Sequence, residues 1–109
     1  MVNTKVYYVQ FEHGDFVVDV KYTRTEYSPT DVDEEWEFQH PFTGEWCSDV
    51  HNIWDNWEFE DDATNYEFGK LLTRIEAILC DSAECEKIVS EILRGEKVIN
   101  FSPYFPLVR

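Results

Sequence analysis

The sequence predicts an α+β domain in which a small antiparallel sheet of about four to five strands packs against a helical hairpin. Two patterns support this prediction: apolar and polar residues alternate in the first third of the chain, and two later stretches repeat apolar residues at helical spacing. The chain has 109 residues, which is enough to bury a core without disulfides. We therefore expect residues 1–109 to form a single acidic domain.

The first two strands are predicted at residues 4–12 and 16–26, which are rich in Val, Tyr, Phe and Thr. His13-Gly14-Asp15 between them is typical of a hairpin turn, since glycine supplies the backbone angle that such turns need. One face of the second strand is apolar at every other position, namely Phe16, Val18, Val20 and Tyr22.

Acidic residues and large rings alternate in the middle of the chain. Glu35-Trp36-Glu37-Phe38 has the pattern of a half-buried strand, Glu45-Trp46-Cys47 can pair with it after a turn at 41–44, and residues 57–60 repeat the alternation. We expect the acids to point outward and the rings inward, with Trp36 and Trp46 mostly in the core. Trp54 and Trp57 are the better candidates for a binding surface, because tryptophan is enriched at binding hot spots.

The two helices have clear boundaries. Thr64 and Glu67 predict a capping box at the start of the first helix, Asp81 is a helix cap between the two, and Gly95 is typical of a C-terminal stop. Residues 98–101 can form a last strand. The apolar tail 103–108 is expected to pack against the body, or against a second copy in a possible homodimer.

The negative charge is concentrated in one interval. The net charge is −14, and residues 25–69 contain no Lys or Arg. That interval holds 14 of the 23 acidic residues and all four tryptophans, so the remaining nine acidic residues balance the nine basic ones. Disordered acidic tails lack large rings, so this interval is expected to fold.

The charge excludes some classes of partner and indicates others. Nucleic acid and anionic membranes would both repel the chain, and no stretch approaches the roughly 18 apolar residues of a membrane helix. The N-terminus also lacks the pattern of a signal peptide. We therefore expect a cytoplasmic protein whose partner is a basic protein, with a nuclease or another nucleic-acid-binding protein as the leading candidate.

Catalytic and metal sites are weakly indicated. Cys47 with His51 and Cys80 with Cys85 would supply a Cys3His zinc set, but their spacing is atypical, and the sequence leaves open whether these four residues meet. Cys47 lies between Glu45 and Asp49, which disfavours a reactive thiolate. The interpretation is therefore a protein that is not an enzyme and has no cofactor.

In composition the chain resembles two groups of small acidic inhibitors. One comprises phage proteins that disarm host nucleases, such as DNA-mimicking anti-restriction and anti-CRISPR proteins, and the other comprises immunity proteins that neutralise nuclease toxins. The resemblance implies that carboxylates stand in for phosphates and that rings anchor the contact. The predicted partner-binding residues are Glu34, Glu35, Glu37, Trp54, Asp55, Trp57, Glu58, Glu60, Asp61 and Asp62.

The leading hypothesis is an inhibitor of the DNA-mimic type, and the alternative is an immunity protein that uses the same surface. A third hypothesis is a scaffold or subunit whose charge serves only solubility.

Overall fold

A five-stranded sheet forms one layer and two helices form the other, in a computed structural model that describes residues 2–49 and 62–101. The strands are β1 (Asn3–His13), β2 (Phe16–Ser28), β3 (Asp31–Gln39), β4 (Trp46–Cys47) and β5 (Val98–Asn100), and the helices are α1 (Asp62–Cys80) and α2 (Ser82–Leu93). The sheet order is β4-β3-β2-β1-β5. The predicted fold class is confirmed.

The hairpin of β1 and β2 is the longest paired unit of the sheet, with its register running from Asn3↔Glu26 to His13↔Phe16. Only Gly14 and Asp15 connect the strands. Gly14 has φ +60°, whereas Asp15 has a negative φ, which is the pattern of a type II′ turn. This turn matches the twist of the two strands and explains the glycine at that position.

Each strand has an inner face toward the helices and an open face on the other side. The inner face supplies apolar side chains to one core cluster with the helices, including Phe11, Val20, Tyr22, Phe38 and Ile99. Because side chains alternate along a strand, the neighbouring residues point to the open face. There Val6, Tyr8 and Val17 are exposed.

The helical hairpin covers the inner face. Phe68, Leu71, Leu72, Ile75 and Ile78 of α1 are buried, as are Ile88, Val89 and Ile92 of α2. Their spacing of three and four residues gives each helix one apolar side. Apart from the cap residue Asp81, no residue separates the helices, as the sequence predicts.

The start of α1 differs from the prediction. The helix begins at Asp62, so Thr64 lies inside the first turn and does not cap it. An acidic residue in the first turn interacts favourably with the positive end of the helix dipole. Two other boundaries are confirmed: Asp81 caps α2, and Gly95, with φ +103°, follows the end of that helix.

The cap of α2 gives a prediction for stability. The Asp81 carboxylate accepts hydrogen bonds from the amides of Ala83 and Glu84, at 3.0 and 3.1 Å. Replacing Asp81 with Ala should lower the free energy of unfolding by about 1 kcal/mol, measured by urea denaturation. Asp81→Asn should restore most of the loss, and equal losses in both variants would show that the cap is not responsible.

The last strand is confirmed at Val98–Asn100, but its partner was not predicted. It runs parallel to β1 and pairs only with residues Gln10–Glu12. The strand expected at 57–60 and the tail 103–108 lie outside the described residues. Within the described ranges, neither helix is long and apolar enough to cross a bilayer.

Candidate functional site

Four carboxylates lie in line on the open face of β3. Alternation places Asp31, Asp33, Glu35 and Glu37 on this side, and we call these four residues the acidic row. A strand rises about 3.4 Å per residue, so neighbouring members stand about 7 Å apart and the row is about 20 Å long. The sequence predicted this relation for Glu35 and Glu37, while Asp31 and Asp33 were not among the predicted site residues.

Most of the acidic row has no compensating charge beside it. On β2 the residues opposite Asp31, Asp33 and Glu35 are Ser28, Thr25 and Thr23. None of these three acids forms an ion pair with another residue in the described ranges. Asp31, Asp33 and Glu35 are exposed to solvent, so their charges are available to a cationic partner.

Glu37 is the neutralised end of the row. The Lys21 ammonium lies 3.1 Å from its carboxylate, and the two residues face each other across β2 and β3. The same ammonium lies 5.1 Å from the centre of the Trp46 ring, which is within range of a cation–π interaction. Lys21 therefore separates the acidic row from an aromatic part of the open face.

The aromatic part consists of Tyr8 and Trp46, whose ring centres are 6.1 Å apart. They line a shallow groove of about 420 Å³ together with Gln10, Asp19, Gln39 and Val98. Tyr8 is 60% exposed, and exposed aromatic residues are common anchors in protein interfaces. The open face thus places two rings beside the acidic row. Trp54 and Trp57, the rings that the sequence predicts for a binding surface, lie outside the described residues.

The expectation that Trp46 lies in the core is wrong. Trp46 pairs with Gln39, whose side chain points to the open face, and the adjacent Cys47 packs against the core instead. Trp36 is on the inner face and packs against the core, as expected. Tyr8 was not among the predicted site residues. Tyr7, Val9 and Phe11 point toward the core, so alternation places Tyr8 on the open face.

Glu34 does not join the acidic row, because it lies on the inner face of β3. It accepts a hydrogen bond from the Tyr22 hydroxyl, and the Arg24 guanidinium lies 3.2 Å from its carboxylate. Arg24 also pairs with Glu26 at 3.1 Å. Burial and then the bond to Glu34 raise the pKa of Tyr22 far above its usual value. This arrangement links β2 to β3 and leaves Glu34 partly neutralised.

Of the other predicted site residues, Asp62 is the one that the structure describes. Asp62 is exposed at the first residue of α1. Trp54, Asp55, Trp57, Glu58, Glu60 and Asp61 lie outside the described residues.

The cysteines lie apart in chemically different settings. Cys47 and Cys85 are half-buried, Cys80 is exposed, and all three are free thiols. Burial raises the pKa of the Cys47 thiol and Glu45 raises it further, as the neighbouring acids predict. Burial likewise raises the pKa of Cys85, with smaller effects from Glu34 and Glu86. Thiols with a raised pKa are poor nucleophiles at neutral pH.

The structure describes three of the four members of the predicted zinc set, namely Cys47, Cys80 and Cys85. Within residues 2–49 and 62–101, no three His, Cys, Asp or Glu side chains lie close enough to hold a metal ion together. His51, which completes the zinc set, is not among those residues. His40 is buried, and its Nδ1 accepts hydrogen bonds from the amides of Phe42 and Thr43, so it supports the turn that leads into β4.

Comparison of the chain with protein-family models, with curated proteins and with solved structures finds no match.

Proposed function

We propose that the protein is an acidic inhibitor that occupies the nucleic-acid-binding surface of a basic partner protein. The acidic row is the observation that carries this proposal. Its carboxylates stand in for phosphates, and Tyr8 and Trp46 supply apolar contacts beside them. The proposal places the protein in the cytoplasm, which is the host cytoplasm if a phage encodes it.

The spacing of the acidic row suits a surface that normally binds a phosphate backbone. One DNA strand carries a charge about every 3.4 Å along the helix axis, and the row carries one about every 7 Å. The row therefore has about half the line density of charge of a single strand. A cationic groove can meet such a row with the same Lys and Arg side chains that it uses for phosphates.

The proposal is one of binding and not of catalysis. The two half-buried thiols have raised pKa values, and the buried His40 uses its Nδ1 in a turn. The exposed features of the described residues are instead an uncompensated charge row and an aromatic groove. Such surfaces steer association with oppositely charged partners and suppress binding to others.

A competition experiment tests this function. A labelled DNA duplex is bound to a restriction endonuclease without its metal ion or to a guide-loaded CRISPR nuclease, and its release by the protein is followed by fluorescence anisotropy. We expect release at about 50 mM salt and affinity at least about tenfold weaker at about 200 mM, because exposed charge pairs are screened over about 10 Å at 0.1 M. Failure to displace DNA from any basic nuclease in a broad panel would contradict the proposal.

A triple variant tests the placement of the charge. Asp31→Asn, Asp33→Asn and Glu35→Gln together should weaken displacement by roughly 3- to 150-fold, because each exposed ion pair contributes about 0.2–1 kcal/mol and three sum to about 0.6–3 kcal/mol. Removing like charges that stand side by side should leave thermal stability unchanged or slightly higher.

The matched control removes three exposed acids elsewhere: Asp15→Asn, Glu86→Gln and Glu96→Gln. Both triple variants change the net charge by the same amount. If the control loses as much affinity as the row variant, total charge and not the acidic row governs binding. That outcome would contradict the placement of the binding site on β3.

The alternative function, an immunity protein for one basic nuclease toxin, draws support from the groove beside Tyr8 and Trp46. An aromatic anchor fits the pocket of one complementary partner. A row of charges alone can bind many different cationic grooves. The panel of nucleases separates the two functions. Inhibition of several unrelated nucleases supports the mimic, whereas tight and salt-resistant inhibition of one supports the immunity protein.

A further inference from the structure

The outer edge of β1 presents unpaired backbone groups. The amide of Gln10 donates to the carbonyl of Lys97, and the carbonyl of Glu12 accepts from the amide of Phe101, so the even-numbered residues of β1 direct their N–H and C=O groups away from β2. By the alternation of an antiparallel ladder, Thr4, Val6 and Tyr8 do the same. β5 reaches only Gln10–Glu12, and no other strand of the described residues pairs with this edge.

Several side chains along this edge are apolar and exposed. Val2, Val6 and Tyr8 are 60%, 46% and 60% exposed, and Val98 of β5 and Leu93 of α2 are also exposed beside them. Leu93 lines a small cleft with Asn3, Lys5 and Tyr7 on the inner side of β1. Five of the large hydrophobic side chains that the described residues leave exposed therefore gather at one strand edge.

β1 itself carries little negative charge up to Phe11, and Glu26, which lines the cleft beside Leu93, is paired with Arg24 at 3.1 Å. Residues 1–11 contain no Asp or Glu and a single Lys, in a chain whose net charge is −14. Two copies of so acidic a protein repel each other over most of their surfaces, and the repulsion is least where acids are missing. The β1 edge is thus the strand edge best suited to a second copy of the chain.

We propose that the protein forms a two-fold dimer by antiparallel pairing of β1 with β1 of a second copy. The pairing is centred on Val6, because Val6 is the middle one of the three residues with outward backbone groups. Val6 then faces Val6 of the second copy, and Thr4 faces Tyr8. Each of these pairs exchanges two backbone hydrogen bonds across the interface.

The pairing runs from Thr4 to Tyr8, because β5 occupies the edge from Gln10 onward. Within this segment the side chains are compatible on both faces. On the open face, Val6 meets its own copy, with Thr4 and Tyr8 on either side. On the inner face, Lys5 lies opposite Tyr7 of the second copy, where its ammonium can lie over an aromatic ring. At the other edge of the sheet, the acidic row of β3 opposes such self-pairing, since like charges across strands destabilise them.

The dimer has a consequence for the open face. Two acidic rows lie on one continuous sheet, separated by five strand spacings of about 4.8 Å, or about 24 Å. This inference does not depend on the proposed function, since the β1 edge contains none of the residues that the function uses except Tyr8.

Sedimentation equilibrium of the full chain over a wide range of concentration tests the inference. We expect the mass to rise from the 13.0 kDa chain to twice that value. Val6→Lys places two ammonium groups directly opposite each other across the two-fold axis, and it should raise the dissociation constant of the dimer by about tenfold or more. Val17→Lys adds the same charge to the open face at 42% exposure and should dimerise as the wild type does.

A second variant tests whether the loss of the dimer is due to misfolding, and a second measurement tests whether β1 is the interface. Val6→Pro removes one outward N–H without breaking the ladder to β2, and proline is tolerated on edge strands; it should remain folded by circular dichroism and be monomeric. Amide hydrogen exchange should slow at Thr4, Val6 and Tyr8 as the concentration of the wild type increases.

Three outcomes would overturn the inference. They are a wild type that stays monomeric at every concentration, a dimer that persists in Val6→Lys or weakens equally in Val17→Lys, and a dimer in which the three amides gain no protection. A monomeric wild type would indicate that the β1 edge pairs with a strand of another protein. A dimer without added protection would indicate that the copies meet through another part of the chain, such as the apolar tail.

Discussion

Ile88→Asp is expected to unfold the protein or to leave only a small folded fraction at 25 °C. Ile88 is fully buried on α2 within the core shared with the sheet. The substitution loses about 2–3 kcal/mol of apolar burial and adds the cost of a buried carboxylate without a partner, which is several kcal/mol more. A domain of this size has a total stability of about 5–15 kcal/mol, so the two losses together consume most of it.

Circular dichroism and urea denaturation measure this effect. Ser90→Asp adds the same charge to the same helix at an exposed position and should stay within about 0.5 kcal/mol of the wild type. Ile88→Val should lose about 1 kcal/mol. If Ile88→Asp melts within a few degrees of Ser90→Asp, then α2 does not pack against the sheet as described.

Tyr22→Phe is expected to change the response of the protein to alkaline pH. In the unfolded chain Tyr22 ionises near pH 10, whereas burial and the hydrogen bond to Glu34 hold its folded pKa far higher. Above pH 10 the unfolded state therefore binds fewer protons than the folded state, and stability falls as the pH rises. The slope is about 1.4 kcal/mol per pH unit for one proton, so Tyr22 alone removes about 1.5–2 kcal/mol between pH 10 and about pH 11.5.

The variant lacks this source of alkaline instability but also lacks the hydroxyl that bonds Glu34 and Arg24. Near neutral pH it should be less stable than the wild type by about 1 kcal/mol. As the pH approaches about 11.5, the difference should vanish or reverse, and urea denaturation at a series of pH values would show the crossing. Tyr66→Phe, at a highly exposed position, should show no crossing, and parallel curves for Tyr22→Phe and the wild type would refute the assignment.

The helices and the hairpin are the parts of the fold that local sequence predicts well. The apolar spacing from Phe68 to Ile78 predicts the buried side of α1, and Asp81 and Gly95 mark the limits of α2. These signals are local, because a helix cap or a two-residue turn involves groups only a few positions apart. The start of α1 was predicted three residues late: a capping box of Thr64 and Glu67 makes Asn65 the first helical residue, whereas the helix already includes Asp62.

Part of the candidate site follows from the same local rules. Alternation in 35–38 correctly separates Glu35 and Glu37 from Trp36 and Phe38, and it extends by the same rule to Asp31 and Asp33. Glu34 is among the predicted partner-binding residues because it stands next to Glu35 in the acidic part of the sequence. In a strand the next residue points to the opposite face, and Glu34 therefore joins Tyr22 and Arg24 on the inner face.

By itself, the sequence determined the fold class, the two helices, the paired strands and the confinement of net negative charge to residues 25–69. Only the tertiary structure decided which strands are neighbours, that β5 joins β1 in parallel, and that Tyr8 and Trp46 meet on the open face. The physical reason is the separation along the chain of the residues that interact. Caps, turns and alternation depend on residues a few positions apart, whereas the approach of Tyr8 to Trp46 depends on the order and twist of four strands, which no short stretch of sequence specifies.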